Sequence, residues 1–228
     1  MMYEYVLIIV HMVTAIYRGF NKTTDGLTKA FENRSWKVYH TYSKNPNKVK
    51  AHLKTFVRSE RNFAVFIIGH GDEDNILMDD GRILLRSDIF KIIQENSRAN
   101  VNKLLYFDTC RGDQDVSSKP CVRKGYKIRI NWFQNYKKDD YMKSLSKKLK
   151  IPNIIIFNST QRQFGTYTDD HLGCLGTTDF IDLINGDNSR GKHICDLLKE
   201  AGIRKMLRWD GLSPSRFVTN VDTQFPIY

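Results

Sequence analysis

Four short runs of β-forming apolar residues punctuate the chain, at 5–13, 63–68, 104–107 and 153–158. None approaches the roughly 20 apolar residues of a membrane span, and each has the make-up of a buried strand. Helix-type spacing fills the intervals. After Asn45-Pro46, the residues Val49, Leu53, Phe56 and Val57 fall at i, i+4, i+7 and i+8, the stripe of a helix that faces a core. After Ser87, a favourable cap, come Ile89, Phe90, Ile92 and Ile93. Strands that alternate with helices predict an α/β class. With 36–39 as a second strand, 216–221 as the last and a short one at 83–85, the pattern predicts about six principal strands.

Two of the runs end in polar, glycine-flanked turns. Residues 104–112 read LLYFDTCRG, which sets Cys110 just past a strand's carboxyl end, where open α/β sheets bind ligands. The run at 63–68 leads into Gly69-His70-Gly71. A single cysteine after a strand is more often inert and buried, but polar turns suit exposed, reactive groups. A thiol is a weak nucleophile until a base takes its proton, and an imidazole can do so and later protonate a leaving amine. The pairing therefore predicts acyl-transfer chemistry.

The remaining sequence narrows the alternatives. A length of 228 residues fits one domain. The four cysteines, Cys110, Cys121, Cys174 and Cys195, form no CxxC pair, so neither a disulfide framework nor a zinc site is indicated, and no metal or cofactor is expected. Free thiols fit a reducing, cytoplasmic setting. The apolar N-terminal stretch lacks a basic leader and contains Glu4, so it reads as a first strand and not as a signal peptide. The acidic residues at 72–74 and at Asp79-Asp80 lack the spacing of a calcium loop and read as turns.

Charge is concentrated. Residues 119–150 hold eleven Lys or Arg against two acids, Asp139 and Asp140, so nine of the eleven net positive charges lie there. With Trp132, Phe133 and Tyr136 among them, such a segment could track phosphates, but a solvated, protease-accessible linker is the simpler reading, and nucleic acid is not an expected partner. Elsewhere, Tyr17-Arg18-Gly19 is expected to open a polar loop, followed by a helix capped near Thr23 or Thr24 with Leu27, Ala30 and Phe31 on one face. A polar loop at 159–178 and helices at 179–185 and 189–201 complete the expected order.

GHG followed forty residues later by DTCRG resembles the catalytic pair of the caspase family, whose QACxG motif has its histidine about 50 residues upstream. The likeness extends over most of the chain, through Tyr17-Arg18-Gly19, Asp139-Asp140, Lys150-Ile151-Pro152 and Asn158-Ser159-Thr160. It implies a caspase-like (caspase-hemoglobinase) three-layer sandwich, with a mostly parallel sheet of about six strands and helices on both faces. One domain, 1–228, would comprise a large-subunit part at 1–112, a basic linker at 113–150 and a small-subunit part at 151–228. The implied activity is that of a prodomain-less cysteine endopeptidase acting on protein or peptide substrates in programmed cell death. Cys110 would be the nucleophile and His70 the acid and base. The backbone N–H groups of Gly71 and Cys110 would form the oxyanion hole, and a carbonyl near Ile16 would stand in for a third catalytic member. The family further implies a homodimer through the last strand, with another caspase as the alternative partner.

The chain departs from the caspase pattern at the pocket for the P1 side chain. Arg18 matches the arginine of the first loop, but Asp108 stands where caspases have glutamine. Thr166-Tyr167-Thr168 most nearly matches their Ser-Trp-Arg, so no arginine falls there. An aspartate at this place is similar to metacaspases and paracaspases, which cleave after Arg or Lys. An anion there would repel a P1 carboxylate and pair with a P1 cation. If so, the linker's Arg123-Lys124, Lys137-Lys138 and Lys147-Lys148 become candidate self-processing sites; if the pocket takes Asp, the candidates are Asp113, Asp115, Asp139 and Asp140. The same departure also admits a catalytically weak or inactive pseudocaspase that regulates a partner caspase.

Overall fold

A computed structural model describes residues 4–10, 18–72, 74–110, 150–160, 168–169, 171–208 and 216–219. The chain is an α/β protein built on a six-stranded sheet in the order β10-β7-β6-β3-β1-β2. Its strands are β1 (Tyr5–Val10), β2 (Lys37–Thr41), β3 (Phe63–Gly69), β6 (Lys103–Thr109), β7 (Ile154–Asn158) and β10 (Arg216–Thr219). Five run parallel, and β10 lies antiparallel on β7. Two small antiparallel pairs flank the sheet: β4 (Asn75–Leu77) with β5 (Ile83–Leu85), and β8 (Thr168–Asp169) with β9 (Gly173–Cys174).

Continuous apolar runs make sense because the sheet is covered on both faces. Val6, Ile8, Phe66, Tyr106 and Phe157 pack with Leu27, Phe31, Phe180, Ile194 and Leu197. These last belong to α1 (Arg18–Glu32), α4 (Leu175–Asn185) and α5 (Ile194–Arg208). The alternate residues Leu7, Ile9, Val65, Ile67, Leu105, Phe107 and Ile156 meet Val49, Leu53, Ile89 and Ile93. Those come from α2 (Pro46–Phe56) and α3 (Arg86–Asn96). Three layers with helices on both faces therefore follow from the alternation within each strand. At the start of β6, Lys103 is buried in the α2/α3 layer, and its ammonium donates to the carbonyls of Val101 and, at 2.9 Å, Pro152.

Several local expectations need correction. The helix expected to be capped near Thr23 or Thr24 begins at Arg18 instead, so both threonines lie inside it. Their hydroxyls donate back to the carbonyls of Gly19 (3.1 Å) and Phe20 (2.8 Å), one turn earlier, which is how threonine is accommodated in a helix interior. Thr23 Oγ1 also accepts from the Cys174 N–H at 2.6 Å and so docks α1 on β9. Asn45 does cap α2, accepting from the Asn47 N–H at 2.9 Å. Ser87 does not cap α3, which starts one residue before it with Leu85 at the cap position. The polar loop expected at 159–178 is cut short by β8 and β9, and α4 starts at Leu175 and not at 179. The helix expected from 189 starts at Ile194, after a 3-10 turn at Asp187–Ser189. Of the linker expected at 113–150, residues 113–149, with Cys121 and the candidate processing sites, lie outside the described residues, as do Ile16 and Tyr17.

Candidate active site

Strands β3 and β6 are parallel neighbours, and their last register pair is Gly69 opposite Thr109. His70 and Cys110 are the next residue on each strand, and adjacent strands run about 4.8 Å apart. His70 and Cys110 therefore follow adjoining strand ends at the sheet's carboxyl edge, and both residues are half-buried.

The turn after His70 is tightly specified. The His70 carbonyl accepts from the Leu77 N–H at 3.0 Å, Gly71 bridges to Ile76, and the Asp72 N–H donates to the Asn75 carbonyl at 3.0 Å. Asp72 Oδ1 in turn accepts from the N–H groups of Asp74 and Asn75, both at 2.9 Å. A Cβ on Gly71 would lie 2.4 Å from the Asn75 carbonyl oxygen, so the chain passes here only with glycine. The Phe20 ring stands edge-on to His70, with centroids 5.9 Å apart. Burial lowers the His70 pKa below the ordinary histidine value, which favours the neutral imidazole that a general base needs.

Asp108 points away from solvent, at 1% exposure, into the layer of α4 and α5. Its Oδ1 accepts the Ser159 hydroxyl hydrogen at 2.6 Å, and its Oδ2 accepts that of Thr177. The Lys205 ammonium, also buried, donates to the Ser159 carbonyl. Desolvation pushes the Asp108 carboxyl up, against the pull of Ser159, Thr177 and Lys205. It likewise pushes Lys205 down to about 8, against the fields of Asp108 and Asp179. A Cβ on Gly176 would stand 2.6 Å from the Ser159 Cβ and 3.2 Å from Asp108 Oδ1, so glycine there lets α4 close over the carboxylate.

Arg86, the first residue of α3, is 4% exposed and is not singled out by the sequence. Its Nη1 donates to Asn158 Oδ1 at 3.0 Å. Its Nη2 is shared among the Asp72 carbonyl (3.2 Å), the Cys110 carbonyl (3.3 Å) and Thr109 Oγ1. The guanidinium also lies 4.5 Å from the centroid of Phe107.

The structure thus brings His70, Gly71, Cys110 and Asp108 to adjoining strand ends. Of the other expected pocket residues, Arg18 and Thr168 are described by backbone alone, at the start of α1 and in β8, and Thr166 and Tyr167 lie outside the described residues. Among the described residues no group of three His, Cys, Asp or Glu is arranged to hold a metal, and no helix is long and apolar enough to cross a membrane. Cys174 and Cys195 are buried, and Cys110 is half-buried. No family model matches the chain, and no curated protein matches it.

Proposed function

We propose that the chain is a caspase-like cysteine endopeptidase with the caspase-type sandwich. The observation that supports this reading is the Gly69–Thr109 register pair, because His70 and Cys110 are the residues that follow these two parallel strand ends. Cys110 Sγ attacks the scissile carbonyl carbon while His70 takes the thiol proton. The oxyanion is met by the N–H groups of Gly71 and Cys110. Collapse of the tetrahedral intermediate breaks the C–N bond, and His70 returns its proton to the departing amine. Water, deprotonated by His70, then hydrolyses the thioester and regenerates the thiol.

The same reading extends to the substrate. Among the described residues two buried carboxylates, Asp108 and Asp179, act on one ammonium, Lys205. With Asp108 ionised, a negative charge lies on the nucleophile's strand two residues before Cys110. It favours a P1 Arg or Lys and disfavours a P1 Asp. Among the described residues β10 is one of the two edge strands of the sheet, the other being β2, and it is the edge through which two copies would pair; sedimentation velocity reads the dimer directly.

The test uses peptides carrying P1 Arg, Lys or Asp, as fluorogenic substrates and as thiol-directed electrophiles. Expected are labelling of Cys110 that is lost in His70→Ala, and faster turnover of the Arg and Lys substrates. Turnover confined to P1 Asp overturns the basic preference. Absent labelling and turnover overturn the protease reading in favour of a regulator without activity.

A further inference from the structure

We propose that Arg86 is a positioning residue for the Cys110–His70 pair, which deepens the protease reading and rests on it. Both its main chain and its side chain hold the loop that follows His70. The Arg86 N–H donates to the Asp74 carbonyl at 2.9 Å, and Nη2 reaches the Asp72 carbonyl at 3.2 Å. The same guanidinium holds the nucleophile's strand end on either side of the Cys110 Cα, through Thr109 Oγ1 before it and the Cys110 carbonyl after it. A third anchor is Asn158, the last residue of β7 and the register partner of Phe107. One planar cation thus spans the ends of β6 and β7 and the turn after β3, and the Phe107 ring beneath it limits its tilt.

The chemistry explains why this should be arginine. The named acceptors are two carbonyls, a hydroxyl and an amide oxygen, spread over three chain segments, so the cation serves them as a rigid fork of donors. Against desolvation, and beside the Asn75 and Asp74 hydrogen bonds, its charge also lowers the pKa of the nearby Asp72 carboxyl. Lysine offers a single point of charge and cannot reach Asn158 and the Cys110 carbonyl together. Fixing the Thr109 side chain and the Cys110 carbonyl restricts the backbone torsions of Cys110, which decide where Sγ and the oxyanion-binding N–H point. Fixing the Asp72 carbonyl does the same for Gly71, one residue away. The hydrogen bonds named for Arg86 go to the chain around the reacting groups, and through them it sets the distance between the two loops that carry those groups. Misplacement on the scale of 1 Å can cost a factor of about 100 in rate.

The experiment compares Arg86→Lys with the native chain in two reactions at Cys110. Inactivation by a peptidyl electrophile requires the aligned thiol, imidazole and oxyanion donors, whereas alkylation by iodoacetamide requires only an accessible thiol. Expected is a fall of roughly 10- to 100-fold in the first rate per folded molecule, with the second within about two-fold. A residue needed only for folding would lower the melting temperature and leave both rates per folded molecule unchanged, and that result overturns the proposal. If Arg86→Lys does not fold, Asn158→Ala, which removes the Nη1 acceptor, is read by the same two rates and the same criterion. If the native chain itself is not labelled, or is labelled equally in His70→Ala, the protease reading fails first. Native labelling that depends on His70, together with an undiminished rate in the variant, overturns the Arg86 assignment alone.

Discussion

Asp108 and Lys205 reach the same residue from opposite sides. Ser159 gives its hydroxyl hydrogen to Asp108 Oδ1 at 2.6 Å, while its carbonyl accepts from the Lys205 ammonium. Both charges are buried; the desolvation of Asp108 is opposed by the Ser159 and Thr177 hydrogen bonds and by Lys205, and that of Lys205 by Asp108 and Asp179. A buried charge left without its counterpart is far more costly than the pair itself.

Lys205→Met should therefore destabilise the fold by about 3 kcal/mol, and Asp108→Asn introduced on top of it should recover a good part of that loss. Recovery is incomplete because Asp179 also acts on Lys205. Urea unfolding of the two single variants and the double variant measures the coupling. Additive effects would show that the two charges do not communicate.

The pH dependence follows from His70. Its pKa is lowered by burial from the ordinary 6.5, so the imidazole stays neutral to more acidic pH than a free histidine. The rate of peptidyl-electrophile labelling should show an acid limb with its midpoint below 6.5, absent from His70→Ala. The stability sign runs the same way: below 6.5 the unfolded chain binds this proton more readily than the folded one, so this group makes the fold less stable as pH falls through that window. A midpoint above 6.5 contradicts the burial argument.

Gly71→Ala and Gly81→Ala make an informative pair. The first puts a methyl 2.4 Å from the Asn75 carbonyl oxygen and forces the turn that carries the proposed oxyanion donor to shift. About 1–3 kcal/mol of stability should go, and labelling of Cys110 should slow by at least about ten-fold. Gly81 has a φ of +80° but open space around it, so alanine there should cost about 1 kcal/mol and leave labelling unchanged. Equal labelling rates in the two variants would remove Gly71 from the site.

What the sequence disclosed was local. The runs that became β1, β3, β6 and β7 are continuous because both faces are covered, and their glycine-flanked ends displayed His70 and Cys110 directly. Asn45-Pro46 marked a helix start through a side chain that really does cap. Thr23 and Thr24 looked the same and misled, because their hydroxyls bond backwards within α1 and not forwards at its start. Asp108 was legible as a departure from the caspase motif, but not as a buried group, since Ser159, Thr177 and Lys205 come from distant segments. Arg86 left one faint signal: a cation in the first turn of a helix opposes the helix dipole, and such a placement implies acceptors elsewhere.

Strand β6 carries a buried ammonium, Lys103, at its first residue and a buried carboxylate, Asp108, near its last, on opposite faces of the sheet. Sliding the strand by one residue would exchange the faces and strand both charges in apolar layers, far from the carbonyls and hydroxyls that receive them. The two charges are thus pins that admit a single alignment of β6 with its neighbours. They fix which residue follows the end of β6 beside the turn of His70, so Cys110 is placed by the folding code of its strand before any contact in the site itself is made.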